Sequence, residues 1–97
     1  MLLFGAGMDA VTDSAGNVRG LVQWAHAHRR KDVVGKVYAK AGHGIGCELP
    51  NVPFPRQTLF PIGPDVSLVA GGTAAGNEQA AAASWPLVLS FLARLRR

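Results

Sequence analysis

Residues 33–46, VVGKVYAKAGHGIG, are the most informative stretch of this chain. The first half is a short apolar run, typical of a strand that is covered on both faces of a sheet. The second half places His43 among small residues, where glycines let the backbone turn sharply. Because imidazole takes up and releases protons near neutral pH, the segment predicts either an ordinary tight turn or a strand that delivers a histidine to a site.

A strand, a helix and a second strand are predicted around this stretch. The first strand is the apolar run MLLFG, residues 1–5, and the second covers residues 33–39. Between them, Asp13 and Ser14 are suitable N-cap residues for a helix from about residue 15 to about residue 30. That helix has one apolar stripe, formed by Val18, Leu21, Val22 and Ala25. A β-α-β unit joins parallel strands, so the predicted fold class is α/β.

The remainder of the chain is predicted to be a long loop and a final helix. Residues 40–72 contain all but one of the six prolines, which favours an irregular Pro/Gly-rich loop. The segment NEQAAAASWPLVLSFLARLRR has helical spacing of apolar residues, with one stripe formed by Trp85, Val88, Leu92 and Leu95. Pro86 lies inside it and lacks a backbone N–H, which predicts a kink or a break. Trp24 and Trp85 are expected to be buried or half-buried packing residues.

Composition indicates a single globular domain. The chain has 97 residues, of which 48% are hydrophobic and 16% charged. Its net charge of +4 comes mostly from HRRK and RLRR, which contain no interleaved aromatics, so no nucleic-acid partner is expected. A single cysteine suits a reducing compartment, and no apolar run is long enough to span a bilayer. We therefore expect a cytoplasmic location and no membrane partner.

The two predicted strands each lead into a titratable residue. The first runs into Asp9 and the second into His43. In a parallel sheet both would lie at the carboxyl edge, where α/β proteins place their active sites. An aspartate beside a histidine fixes its tautomer and stabilises the imidazolium formed during proton transfer. The alternatives are a helix-capping or turn aspartate and a turn histidine with no catalytic role.

Several segments resemble an α/β-hydrolase. GAGMDAV is similar to the acid-bearing turn of that fold, and VYAKAGHGI is similar to its histidine loop. The stretch GGTAAGNEQAAAASWPLVLSFLARL resembles the carboxyl-terminal region of the acyl-CoA thioesterase and bile acid–CoA:amino acid N-acyltransferase family. The resemblance is strongest over residues 37–46 and 71–92. It implies that residues 1–97 are the carboxyl-terminal part of one α/β-hydrolase domain, with an incomplete parallel sheet.

The resemblance also implies roles for individual residues. Asp9 matches the acid of the catalytic triad, His43 its base, and Ser14 the serine that begins the helix after the acid turn. The substrate would be an acyl-CoA or similar thioester, with no metal and no tightly held cofactor. Two positions depart from the family pattern. Met8 stands where relatives commonly have a second acidic residue, and Thr12-Asp13 stands where they often have Trp-Pro.

A nucleophile is not evident. None of the four serines, at positions 14, 67, 84 and 90, lies in the Gly-x-Ser-x-Gly setting of a nucleophile elbow. Cys47 follows the histidine and also lacks that elbow, so we interpret it as a loop thiol. The expected function is thus that of a hydrolase fragment carrying the acid and the histidine, with the nucleophile upstream or on an associating fragment. The alternative is a catalytically inactive stand-alone chain or interaction module.

Other groups of residues are weaker candidates. His26, His28, Cys47 and Glu48 match no zinc-binding pattern. The glycines near Asp9 and His43 fit neither the dinucleotide fingerprint nor the Walker pattern, so they are interpreted as turns. Arg56 would suit the phosphates of coenzyme A, but a solvated loop arginine is the simpler interpretation.

Overall fold

The computed structural model describes residues 1–44, 56 and 58–96. Two helices and two small sheets make up this part of the chain. In chain order the elements are β1 (Leu2–Ala6), α1 (Ser14–Ala27), β2 (Val34–Tyr38), β3 (Leu59–Gly63), β4 (Val66–Val69) and α2 (Ala74–Leu95).

Strands β1 and β2 lie side by side and parallel, with α1 as the crossover between them. Leu2 pairs with Val34 and Ala6 with Tyr38 at the two ends of the ladder. Side chains alternate across a strand, so the two faces of this sheet meet different helices. A Cβ added at Gly35 would contact Val18 and Val22 of α1, whereas Ala6 and Tyr38 pack with Ala80 of α2. The observed arrangement confirms the α/β class and the parallel β-α-β unit.

Helix α1 begins where the capping residues predict and ends earlier than expected. The Asp13 carboxylate accepts a hydrogen bond from the backbone N–H of Gly16 over 3.0 Å, as an N-cap does. The helix ends at Ala27, and the chain then turns through Arg29, whose φ is 57°. Of the predicted stripe, Val18 and Ala25 are buried, while Leu21 is 49% exposed. Trp24 is 51% exposed, so its predicted burial is wrong: no further element covers this side of α1 in the described residues.

Strands β3 and β4 form an antiparallel hairpin within the region predicted to be an irregular loop. Leu59 pairs with Val69, and a register shift follows Pro61. Asp65 in the connecting turn has a φ of 59°, a left-handed conformation that Asp and Asn adopt more readily than most residues. Prolines suggested a loop here, but a two-stranded ribbon accommodates Pro61 because each of its strands has one unpaired edge. Residues 45–55 and 57 of the predicted loop lie outside the described residues.

Helix α2 is continuous from Ala74 to Leu95, including Pro86. Of the kink or break predicted at Pro86, the break does not occur: proline removes one backbone hydrogen bond, and the turns on either side remain helical. The Thr73 hydroxyl caps the helix by accepting from the Gly76 N–H over 2.9 Å. None of the helices in the described residues is long and apolar enough to cross a membrane.

The core of the described residues is small and built mainly from alanine. Ala6, Ala41 and Ala80 are almost fully buried, with Tyr38 packed against them. Small side chains let α2 and the sheet approach closely, but they bury little apolar surface. Many large apolar side chains remain exposed as a result, and along the second half of α2 they are Leu87, Leu89, Leu92 and Leu95. Trp85 is half-buried, as predicted.

Candidate active site

Asp9 and His43 are in direct contact. The ring Nδ1 of His43 lies 3.1 Å from Oδ2 of Asp9, although the two residues are 34 positions apart. The Asp9 side chain is only 3% exposed, whereas that of His43 is 45% exposed. A buried carboxylate thus lies behind an accessible imidazole, and the structure brings together the two residues that the sequence analysis singled out.

The parallel sheet explains this contact. Asp9 follows the carboxyl end of β1 and His43 follows that of β2, so the segments after both strands leave the same edge of the sheet. Backbone hydrogen bonds continue the pairing beyond the strands: the Gly7 N–H donates to Tyr38 O over 2.8 Å, and the Met8 N–H donates to Ala41 O over 2.9 Å. The two turns are therefore fixed relative to each other by main-chain contacts, independently of the side chains they carry.

The Asp9 carboxylate is held by the turn that it closes. Oδ1 accepts hydrogen bonds from the backbone N–H groups of Val11 and Thr12, over 2.9 and 3.0 Å. Burial alone would raise the pKa of Asp9, but hydrogen bonds from the Thr12 N–H, the Ser14 side chain, the Val11 N–H and His43 outweigh it. The net effect is a pKa well below the usual range for aspartate. Asp9 thus stays ionised at any pH at which a histidine could act.

This environment determines the tautomer of His43. An ionised carboxylate can only accept hydrogen bonds, so Nδ1 carries the proton that it shares with Asp9. Nε2 of the neutral ring is then left with a lone pair, as a general base requires. The backbone of His43 is fixed as well, because its N–H donates to Ala70 O over 2.8 Å. The arrangement can orient an imidazole and stabilise the imidazolium formed after proton transfer.

A third segment, residues 70–72, completes the site. Gly71 forms an isolated antiparallel bridge with Asp9, and Gly72 forms one with Ala41. The chain is close-packed here, since a Cβ at Gly42 would overlap the carbonyl group of Gly71. Gly42 is therefore required by the approach of two backbones, while Gly44, with a φ of 102°, makes the turn itself.

Asn77, which lies in the first turn of α2, was not predicted from the sequence as a site residue. Its Oδ1 accepts from the Gly42 N–H over 2.7 Å, and its Nδ2 donates to Gly71 O over 3.3 Å. A polar residue near a helix N-terminus is usually hydrated, so only the position after a Gly-Gly-Thr turn could have drawn attention to it. The side chain links the histidine turn to the segment that lies against Asp9.

Ser14 begins α1, as predicted from the resemblance, and its side chain hydrogen-bonds to Asp9 and to the end of β1. Its hydroxyl accepts from the Ala6 N–H over 3.0 Å. Within the described part of the chain, no serine hydroxyl is hydrogen-bonded to His43. The buried Ser84 donates instead to Ala81 O over 3.3 Å. These contacts offer no nucleophile beside His43 in the described ranges, and Cys47 lies outside them.

The remaining candidate groups have other partners. Arg56 forms an exposed ion pair with Glu78 of α2. His28 stacks on Trp24 at 4.3 Å between ring centroids, and its Nδ1 lies 2.8 Å from Trp24 O. Among residues 1–44, 56 and 58–96, no cluster of three or more His, Cys, Asp or Glu side chains could hold a metal ion. Cys47 and Glu48, considered with His26 and His28 as zinc ligands, are outside this part of the chain.

Comparison with known proteins gave no relatives. No protein-family model matches the chain, and no curated protein or solved structure is significantly similar to it.

Proposed function

We propose that this chain is the carboxyl-terminal part of an α/β-hydrolase that acts on acyl thioesters, with His43 as general base and Asp9 as its orienting acid. The observation that carries the proposal is the contact between a buried, ionised Asp9 and an accessible His43 at the carboxyl ends of adjacent parallel strands. Active sites of α/β proteins lie at this edge, and an acid followed by a histidine is the chain order used by α/β-hydrolases.

The proposed chemistry begins with a serine or cysteine that the described residues do not supply. Its hydroxyl or thiol attacks the thioester carbonyl while Nε2 of His43 takes its proton. The tetrahedral intermediate then breaks its carbon–sulfur bond, and the imidazolium returns the proton to the departing thiolate of coenzyme A. In the second half-reaction His43 takes a proton from water or an amine as it attacks the acyl-enzyme carbonyl. The acyl–enzyme bond then breaks, and the imidazolium returns that proton to the serine or cysteine. Asp9 remains ionised throughout and stabilises the imidazolium in both steps.

Exposed apolar surface supports a larger assembly around this site. Strands β1 and β2 form a two-stranded sheet, and large apolar side chains such as Leu92 and Leu95 are more than half exposed. Surfaces of this kind are normally covered by protein. The missing strands and the nucleophile would come from a segment upstream of residue 1 or from a separate associating chain. A single cysteine fits a cytoplasmic location for that assembly.

The second candidate is a stand-alone chain without hydrolase activity, able to serve as an interaction module. It is favoured by the fact that no serine in the described ranges meets His43. On this interpretation the Asp9–His43 contact fixes two turns and has no chemical task, and the exposed leucines of α2 bind a partner or promote aggregation.

The size of the native polypeptide separates these candidates. An antibody raised against α2 should detect a protein several times larger than 10.2 kDa in extracts of the source organism. That protein should react covalently with a fluorophosphonate probe if its nucleophile is a serine, or with a thiol-directed alkylating probe if it is a cysteine, and His43→Gln should abolish the labelling. A band at 10.2 kDa that neither reacts with the probe nor co-purifies with a labelled chain would contradict the proposal and support the inactive module.

A further inference from the structure

We propose that Asn77 is a positioning residue that holds the His43 turn and the segment against Asp9 in register. Its importance for catalysis rests on the function proposed above, but its structural effect can be measured without turnover. The carboxamide bonds two chain segments that are far apart in sequence, and each of them carries or contacts one member of the pair.

The first bond reaches the histidine turn. Asn77 Oδ1 accepts from the N–H of Gly42, the residue immediately before His43, over 2.7 Å. The neighbouring N–H, that of His43 itself, donates to Ala70 O. The backbone on the amino-terminal side of the His43 ring is therefore fixed by one side-chain acceptor and one main-chain acceptor.

The second bond reaches the segment that lies against the aspartate. Asn77 Nδ2 donates to Gly71 O over 3.3 Å, and Gly71 forms the isolated bridge with Asp9. The next N–H, that of Gly72, donates to Met8 O over 3.2 Å. On the other side of Asp9, the Ala10 N–H donates to Ala70 O over 3.1 Å. A displacement of residues 70–72 would therefore shift the backbone on both sides of the Asp9 Cα.

A side-chain amide meets both requirements of this position. It must accept from an N–H and donate to a carbonyl at the same time, whereas a carboxylate can only accept and an apolar isostere does neither. The space is limited too, since a Cβ at Gly72 would overlap Asn77 Oδ1. Asn77 is not needed to cap α2, because Thr73 already does so.

The inference can be tested by NMR on the 15N-labelled 97-residue chain. Two signals report on the geometry: the downfield Nδ1 proton that His43 shares with Asp9, and the hydrogen-exchange rate of the Gly42 amide. In Asn77→Ala we expect Gly42 exchange to accelerate by about tenfold, the equivalent of one lost hydrogen bond, and the His43 Nδ1 signal to broaden beyond detection. Asn77→Asp keeps the acceptor but not the donor, so Gly42 protection should remain while the Nδ1 signal weakens.

Two controls separate positioning from general destabilisation. Val18→Ala removes buried volume between α1 and the sheet, where Val18 lies against Gly5 and Gly35. Gln79→Ala alters an exposed neighbour of Asn77 on α2. Both controls should retain the Nδ1 signal. If Asn77→Ala does not fold, the isosteric Asn77→Asp decides the question by its Nδ1 signal alone.

The outcomes distinguish this inference from the proposed function. A folded wild-type chain without a downfield Nδ1 proton would contradict the Asp9–His43 pair and hence the proposed function. A signal that is present in the wild type and unchanged in folded Asn77 variants would leave the pair intact and overturn the role of Asn77.

Discussion

The imidazole of His43 contacts the carboxylate of Asp9 over 3.1 Å because both residues leave the same edge of a parallel strand pair. The contact is asymmetric: the carboxylate is buried and held by two backbone N–H groups, whereas almost half of the imidazole surface is accessible. Such an arrangement fixes one ring nitrogen and leaves the other for proton transfer.

In the proposed hydrolase, substitution of either residue should abolish most activity. We expect His43→Gln and Asp9→Asn each to lower kcat by about 10³- to 10⁴-fold, since both remove the oriented base and leave substrate binding intact. The measurement is thioester hydrolysis followed by release of free thiol, with KM determined separately. His26→Gln alters an exposed histidine of α1 and is the matched control. A His43→Gln enzyme with more than half of the wild-type kcat would contradict the proposed role.

The lowered pKa of Asp9 predicts how stability depends on pH. The unfolded chain has an aspartate pKa of about 3.9, and the folded value lies below it. Between the two values the unfolded state binds more protons, so the free energy of unfolding rises with pH. The contribution of Asp9 is complete above about pH 5 and is lost as the pH falls through its folded pKa.

Asp9→Asn should therefore reduce the slope of stability against pH below about pH 5. Urea unfolding followed by circular dichroism at a series of pH values measures this slope. Asp65→Asn is the matched control, because it removes the same charge from an exposed turn whose backbone conformation asparagine also tolerates. Equal slopes for Asp9→Asn and the wild type would show that the carboxylate is not stabilised by its hydrogen bonds.

Two glycine-to-alanine substitutions should have opposite effects on stability. Gly20 lies on the exposed side of α1 with open space around it, so Gly20→Ala should stabilise the fold by about 0.5–1 kcal/mol through helix propensity. Gly42→Ala would push a methyl group into the Gly71 carbonyl and should destabilise by about 1–3 kcal/mol. Urea midpoints compare the two variants directly. A neutral Gly42→Ala would mean that residues 42 and 71 are farther apart than the structure shows.

Sequence patterns predicted the elements that are stabilised by interactions between residues close together in the chain. Nearby residues determine the apolar runs of β1 and β2, the cap at Asp13 and the apolar spacing along α1. The parallel direction of the two strands follows from the single helical crossover between them. The proximity of Asp9 and His43 could be inferred for the same reason, since two parallel strands in register leave little freedom to the residues that follow them. Their catalytic role stays a prediction.

The features that were missed depend on contacts between elements, which the pattern within one element does not encode. Asn77 bonds to Gly42 across 35 positions, and no periodicity links them. The β3–β4 hairpin carries two prolines that locally favour a loop, yet pairing across the turn outweighs that preference. The exposure of Trp24 depends on which elements are available to cover it, and a helix pattern alone identifies only the side that should be covered.

The apolar face at the end of α2 predicts self-association of the isolated chain. Leu92 and Leu95 are 51% and 65% exposed, and transfer of such side chains out of water is favourable by roughly 1.5–3 kcal/mol each when complete. The wild-type chain should therefore elute from gel filtration above its mass of 10.2 kDa, and the doubly substituted Leu92→Lys, Leu95→Lys chain should elute closer to it. Ala82→Lys adds charge to an exposed position of the same helix and should not change the elution volume. A wild-type chain that stays monomeric as its concentration is raised would show that α2 needs no covering partner. The exposed apolar surface would then no longer support a larger hydrolase.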